Sequence, residues 1–219
     1  MIIYHGSKAI IENPLFKGSN PSNDYGPAFY LTTDLNSAKS WACKNDELGV
    51  VNKYYVDNET FQSLKVLDLT DKNIYSVLNW MAILMHFREL SASFRNIHTN
   101  ILEWLSKYYI NVDDYDVIIG YRADDSYFRF PISFIDNRLS FEDLETAYRS
   151  GNLGIQFAFI SKRAIKALKF ESVIECENSF IGHYYSTVSK ASEEVKELLS
   201  APKDANKTYI LDLMRKDNG

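Results

Sequence analysis

The chain has 219 residues, 46% of them hydrophobic and 24% charged, with a formal charge of −5. That balance predicts an ordinary folded protein with a sizeable core and argues against a broad electrostatic grip on nucleic acid, which needs many Lys and Arg contacts. Two cysteines, Cys43 and Cys176, make no CxxC pair, so no structural metal is expected and a reducing, cytoplasmic setting is the default.

In chain order, residues 1–5 read as a short buried strand that runs into His5-Gly6-Ser7. A Gly- and Pro-rich loop over 11–28 follows, then a strand at "AFYLTT" and a helix at "DLNSAKSWACKND", with Thr33 or Asp34 as its N-cap. "VVNKYYVD" and "LKVLDL" alternate as strands do. Over 71–109 the apolar period becomes helical, with Ile74, Val77, Leu78, Met81, Leu84 and Met85 on one face and a second stripe from Ile97 to Tyr108. Two amphipathic helices, forming a helical insertion, are predicted there. The longest apolar stretch, near 77–85, is too short to span a bilayer, and no signal-peptide pattern opens the chain, so no membrane partner is expected. "DVIIGY" is a strand, and a loop-rich stretch with Asp124, Asp125, Tyr127 and Arg129 follows it. "SFEDLETAYRSG" is a helix ending at Gly151, "GIQFAFIS" a strand, "LKF" a short strand, "ASEEVKELLS" a helix and "TYILDLM" a short apolar segment.

Strands at both ends with helices gathered in the middle predict an α+β fold. No GxGxxG follows a strand and no GxxxxGK[ST] is present, so neither a Rossmann site nor a P-loop is supported.

Three stretches carry the chemistry: "YHGS" at 4–7, "YGPAFYLTTDLNSAKSWACK" at 25–44 and "GIQFAFISKRAIKALKF" at 154–170. Together they resemble the ADP-ribosyltransferase superfamily, in the His-Tyr-Glu branch of diphtheria toxin and the poly(ADP-ribose) polymerases. Tyr4-His5-Gly6-Ser7 fits the branch's first motif. Gly26, Phe29 and Tyr30 fit its turn and tyrosine strand, and Trp41 stands at the second aromatic, eleven residues on. Gln156 falls at the position of the acid. With "DVIIGYRADDSYF", the chain more narrowly resembles a bacterial family, domain of unknown function 3990, over residues 1–170.

The resemblance implies a split β-sheet core with the helical insertion at 71–109 and a C-terminal helical extension over 171–219. It implies NAD as substrate. His5 would bond the adenosine ribose, Gly6 the nicotinamide carboxamide, and Tyr30 and Trp41 would sandwich the ring, with Ser7 and Gln156 completing the cofactor-binding set. Catalysis would rest on His5, Tyr30, Gln156 and Asp125, since Gln156 brings no charge and Asp124 or Asp125 could supply the missing carboxylate. Ala38 replaces the serine that bonds the amide in the polymerases, with Ser37 beside it. From pattern alone, Tyr30 and Trp41 also read as core aromatics and Asp124-Asp125 as a turn. The implied function is mono-ADP-ribosyl transfer to a protein or nucleic-acid acceptor, as a bacterial toxin or effector with room for an antitoxin partner. The alternatives are an NAD glycohydrolase and an inactive module that binds NAD or ADP-ribose.

Overall fold

The opening strand outlasts its apolar run. In the computed structural model, which describes residues 1–44, 47–123, 127–150 and 154–217, β1 covers Ile2–Ser7. It continues through Gly6 because antiparallel pairing with β3 (Val50–Tyr55) sets Gly6 opposite Val51. On the far side of β3 lies β7 (Lys169–Glu175), longer than the expected "LKF", which completes a three-stranded sheet in the order β1-β3-β7. The second sheet has the order β2-β6-β5-β4, built from β2 (Phe29–Leu31), β4 (Val66–Asp68), β5 (Val117–Tyr121) and β6 (Ile155–Phe159). Its β4–β5 pair is parallel and the others antiparallel. The sheets meet where Tyr4 and Thr32 exchange backbone hydrogen bonds of 2.8 and 2.9 Å. The protein is thus mixed α+β with two sheets.

A core of Ile3, Phe29, Leu31, Tyr54, Val117, Phe157 and Phe159 fills the space where the sheets face each other. Each such apolar side chain contributes about 1.5–3 kcal/mol by leaving water. Asn52, wholly buried, donates to Ser7 Oγ at 3.0 Å and Ala9 O at 3.1 Å and accepts from Ile11 N–H at 2.7 Å. One side chain therefore pins the start of the loop that follows β1.

Helix α1 (Leu35–Ala42) starts at Asp34, whose carboxylate accepts from Asn36 N–H. A short helix, α2 (Asn58–Ser63), is unannounced by periodicity and is started by the Asp57 cap on Thr60 N–H. The first insertion helix is α3 (Val77–Phe87), opened by a Ser76–Asn79 capping box and burying Trp80, Met81, Ile83 and Leu84. The second expected helix is broken at His98 into α4 (Ala92–Ile97) and α5 (Thr99–Ser106). Thr99 Oγ1 lies 2.9 Å from Arg95 O and 3.2 Å from Asn96 O, so it donates to carbonyls that the break leaves open.

The stretch after β5, expected to be loop, contains helix α6 (Arg129–Ile135). Pro131 sits in its first turn, where no N–H is needed, and Phe130 and Phe134 are buried one turn apart. Then come α7 (Phe141–Ser150), α8 (Lys162–Ala167, capped by Ser161), α9 (His183–Ser200) and α10 (Ile210–Asp217). Val195 of α9 and Ile210 of α10 are buried in the same cluster as Trp80 and Trp104. No described helix is long and apolar enough to cross a membrane.

Candidate functional site

Beyond the Tyr4–Thr32 bridge the two sheets part, and a cavity of about 210 Å³ opens between them. His5, Gly6, Tyr30, Trp41 and Gln156 all line it. Three distant stretches of sequence therefore meet at one place.

Gly6 is held for two reasons. A Cβ there would lie 2.0 Å from Ala38 O and 2.9 Å from Ala42 N, so only glycine lets α1 lie this close to β1. Its backbone serves the cavity. Tyr4 turns its N–H and C=O toward β2, and in a strand the residue two positions on turns the same way. Gly6 thus presents one donor and one acceptor on the cavity side of β1, away from β3.

His5 Nδ1 lies 2.7 Å from Tyr30 O, and its ring stacks on Phe29 with centroids 4.3 Å apart. A carbonyl can only accept, so Nδ1 carries the proton and Nε2 is left as an acceptor. Burial holds the imidazole below its ordinary value of 6.5, against the opposing pull of the Tyr30 carbonyl. The sign of the pH dependence follows. On acidification below about 6.5 the unfolded chain takes up a proton that the native His5 refuses, so stability falls with pH until the lowered native value is passed. Thermal unfolding followed from about pH 7.5 to about pH 5 should show a fall that His5→Asn lacks.

Tyr30 projects its ring into the cavity while its hydroxyl is tied down behind. The Oη donates to Gly26 O at 2.7 Å and accepts from Tyr25 N–H at 3.1 Å. Gly26 has φ +74°, and a Cβ there would meet the Phe87 ring at 2.6 Å, so this turn admits only glycine. Burial pushes the Tyr30 phenol far up, and it stays neutral at any physiological pH. Tyr30→Phe should therefore lower stability by about 1–2 kcal/mol through two lost hydrogen bonds. Ligand binding measured by calorimetry should change little, because the ring remains.

Trp41, on α1, carries two cations near its ring, Arg122 at 5.0 Å and Lys44 at 4.2 Å from the centroid. Gln156, on the inner strand β6, is buried; its Nε2 donates to Asp24 Oδ2 at 2.9 Å and to Tyr121 O at 3.4 Å. Ser7 does not line the cavity, since its hydroxyl accepts from Asn52 and donates to Ala9 O at 2.5 Å. Ala38 and Ser37 both line it, and Ser37 Oγ donates to Asp34 Oδ2 at 2.7 Å. Asp124 and Asp125 lie outside the described residues.

Three charged residues of the cavity escape sequence reasoning. Asp24 is buried, accepts from Ala123 N–H at 2.9 Å and pairs with Arg88 at 3.7 Å. Arg88 also donates to Ala123 O at 3.2 Å, and Arg122 completes the set. Asp24 sits in a turn-rich "SNDYGP" that reads as solvated loop, and Arg88 follows a helix end. Neither position carries a motif. Among the described residues no group of three or more His, Cys, Asp or Glu is placed to hold a metal ion.

The family described as "Protein of unknown function (DUF3990)" matches residues 1–170, and the chain belongs to it. No curated protein and no solved structure matches the chain.

Proposed function

We propose that this protein is an NAD-dependent mono-ADP-ribosyltransferase, with a split-sheet core of the ADP-ribosyltransferase kind, that passes ADP-ribose to a macromolecular acceptor. The observation that carries the reading is the convergence of His5, Gly6, Tyr30, Trp41 and Gln156 on one cavity. In the reaction, the bond from nicotinamide N1 to ribose C1′ breaks and both electrons leave on nicotinamide. A lone pair of the acceptor closes on C1′, and the acceptor's proton is released.

Each residue has a task its surroundings permit. Gly6 would bond the carboxamide through its outward N–H and C=O. Neutral His5 would accept from a ribose hydroxyl at Nε2. The Tyr30 and Trp41 rings would hold nicotinamide, the nicotinamide cation taking over a ring already frequented by cations. Arg88 and Arg122 put two guanidinium groups on the cavity wall, which suits a diphosphate. Gln156 bonds a hydroxyl but brings no charge, which favours transfer of single units.

That same neutral amide favours a second reading, a module that binds NAD or ADP-ribose without turning it over. If water is the acceptor, the protein is a glycohydrolase. A role as a bacterial toxin or effector, held by an antitoxin, accords with any catalytic form. Nicotinamide release from NAD by the purified chain, with and without bacterial lysate, tests the reading. Release that rises with lysate and labels a macromolecule supports the transferase. Lysate-independent release supports the glycohydrolase, binding without release supports the module, and neither binding nor release overturns all three.

A further inference from the structure

The amide of Gln156 has a fixed orientation, and the group that fixes it is Asp24. Nε2 faces two acceptors, the Asp24 carboxylate at 2.9 Å and the Tyr121 carbonyl at 3.4 Å. Turning the amide over would set Oε1 against both, so the assignment of nitrogen and oxygen follows from the partners. The Tyr121 carbonyl is further crowded by Tyr25 Oη at 2.8 Å and Trp80 Nε1 at 3.2 Å, both donating to it. Asp24 is itself anchored by the Ala123 N–H at 2.9 Å and by Arg88. Among the described residues no donor reaches Gln156 Oε1, yet no fully buried side-chain nitrogen or oxygen lacks a partner. Oε1 therefore opens onto the cavity that Gln156 lines.

We propose that Asp24 is a positioning residue of this site, holding Gln156 so that only Oε1, an acceptor, faces the ligand's ribose hydroxyls. The Asp24 carboxylate, paired with Arg88 on its far oxygen, polarises the amide through a charge-assisted hydrogen bond, so Oε1 gains electron density as C1′ becomes cationic. The amide thus keeps a glutamate's role as acceptor toward a hydroxyl, strengthened by the carboxylate behind it. The inference rests on the reading of the cavity as an NAD site.

It makes an uncommon prediction about Gln156→Glu. A carboxylate at 156 would face the Asp24 carboxylate and the Tyr121 carbonyl, two acceptors it cannot bond while ionised. The substitution that supplies the acid should therefore harm the site. Asp24→Asn keeps the shape and removes the like charge, while its carbonyl oxygen can still take the Ala123 N–H that Oδ2 accepts, so adding it to Gln156→Glu should relieve the charge repulsion.

The experiment is a double-mutant cycle on the full chain: wild type, Asp24→Asn, Gln156→Glu and both together. Unfolding temperature, NAD affinity by calorimetry and nicotinamide release are measured for each. Each single substitution should cut kcat about tenfold, with NAD affinity for Asp24→Asn within about threefold, and the double variant should recover about tenfold over Gln156→Glu. Asp24→Asn carries the test by its split of kcat from affinity if Gln156→Glu does not fold. Losses that simply add, or an Asp24→Asn protein with wild-type kcat, overturn the inference while wild-type release leaves the functional reading standing. A folded wild type that neither binds NAD nor releases nicotinamide overturns both. Binding without release narrows the test to affinity, where a Gln156→Glu loss not relieved by Asp24→Asn overturns the inference.

Discussion

Gly6→Ala is expected to cost about 3 kcal/mol of stability, the upper end of what overpacking usually costs. The new methyl would lie 2.0 Å from Ala38 O and 2.9 Å from Ala42 N, both backbone atoms of α1, so no side-chain rotation can make room. Either the helix lifts from the sheet or β1 shifts in its pairing with β3. Because Ala38 and Trp41 line the cavity from this helix, NAD binding should fall together with stability. Chemical denaturation with and without NAD measures both. The control is Gly182→Ala, at φ +77° with no atom within 4 Å of a Cβ. There only backbone strain of about 1 kcal/mol is expected, and binding should be untouched. A Gly6→Ala protein as stable as wild type would show that the α1 contact does not require glycine.

If the cavity is an NAD site, His5→Ala should weaken NAD binding at least about thirtyfold, close to 2 kcal/mol, because one side chain would both receive a hydrogen bond from the ligand and brace the cavity. The ring joins the sheets through Nδ1, whose partner Tyr30 O belongs to β2 while His5 belongs to β1. Its removal also uncovers the face of Phe29, stacked at 4.3 Å. Stability should therefore drop by about 1–2 kcal/mol, which leaves a folded protein to assay. His183→Ala is the matched control: His183 bonds Ser40 at 3.1 Å and does not line the cavity. Calorimetric titration with NAD separates the two variants, and equal binding by His5→Ala and wild type would remove His5 from the site.

The cavity residues that the sequence points to are those that fall on short motifs of the family it resembles. His5-Gly6 stands in an apolar strand, Tyr30 follows a Gly-Pro turn, and Trp41 keeps a fixed step along a helix. Asp24, Arg88 and Arg122 matter because the chain returns to the same cavity from elsewhere, and nothing beside them in the sequence records that return. Asp24 meets Gln156 across 132 positions. The fold shows the same division. Periodicity marks α3 through Trp80 and Ile83, yet α6 was hidden behind Pro131, a residue that breaks a helix in its middle and is harmless in its first turn. The glycine at position 6 reads from sequence as room for a ligand. In the structure its missing side chain makes room for α1, while its backbone is what a ligand would meet.

The register of β7 bears on how this protein can be cut. Lys169 and Phe170 pair with Tyr55 and Tyr54, but Ser172, Val173, Ile174 and Glu175 pair with Lys53, Asn52, Val51 and Val50. A fragment stopped at residue 170, where the family match ends, would strip most of the partner from β3. The bared edge includes buried Val51 and Asn52 and would be open to strand addition by another molecule. It would also lose Glu177, which bonds the buried Lys39 ammonium on α1 at 2.6 and 2.7 Å. A shortened chain would therefore tend to precipitate or pair with itself, and its failure to bind NAD would speak of solubility rather than of chemistry.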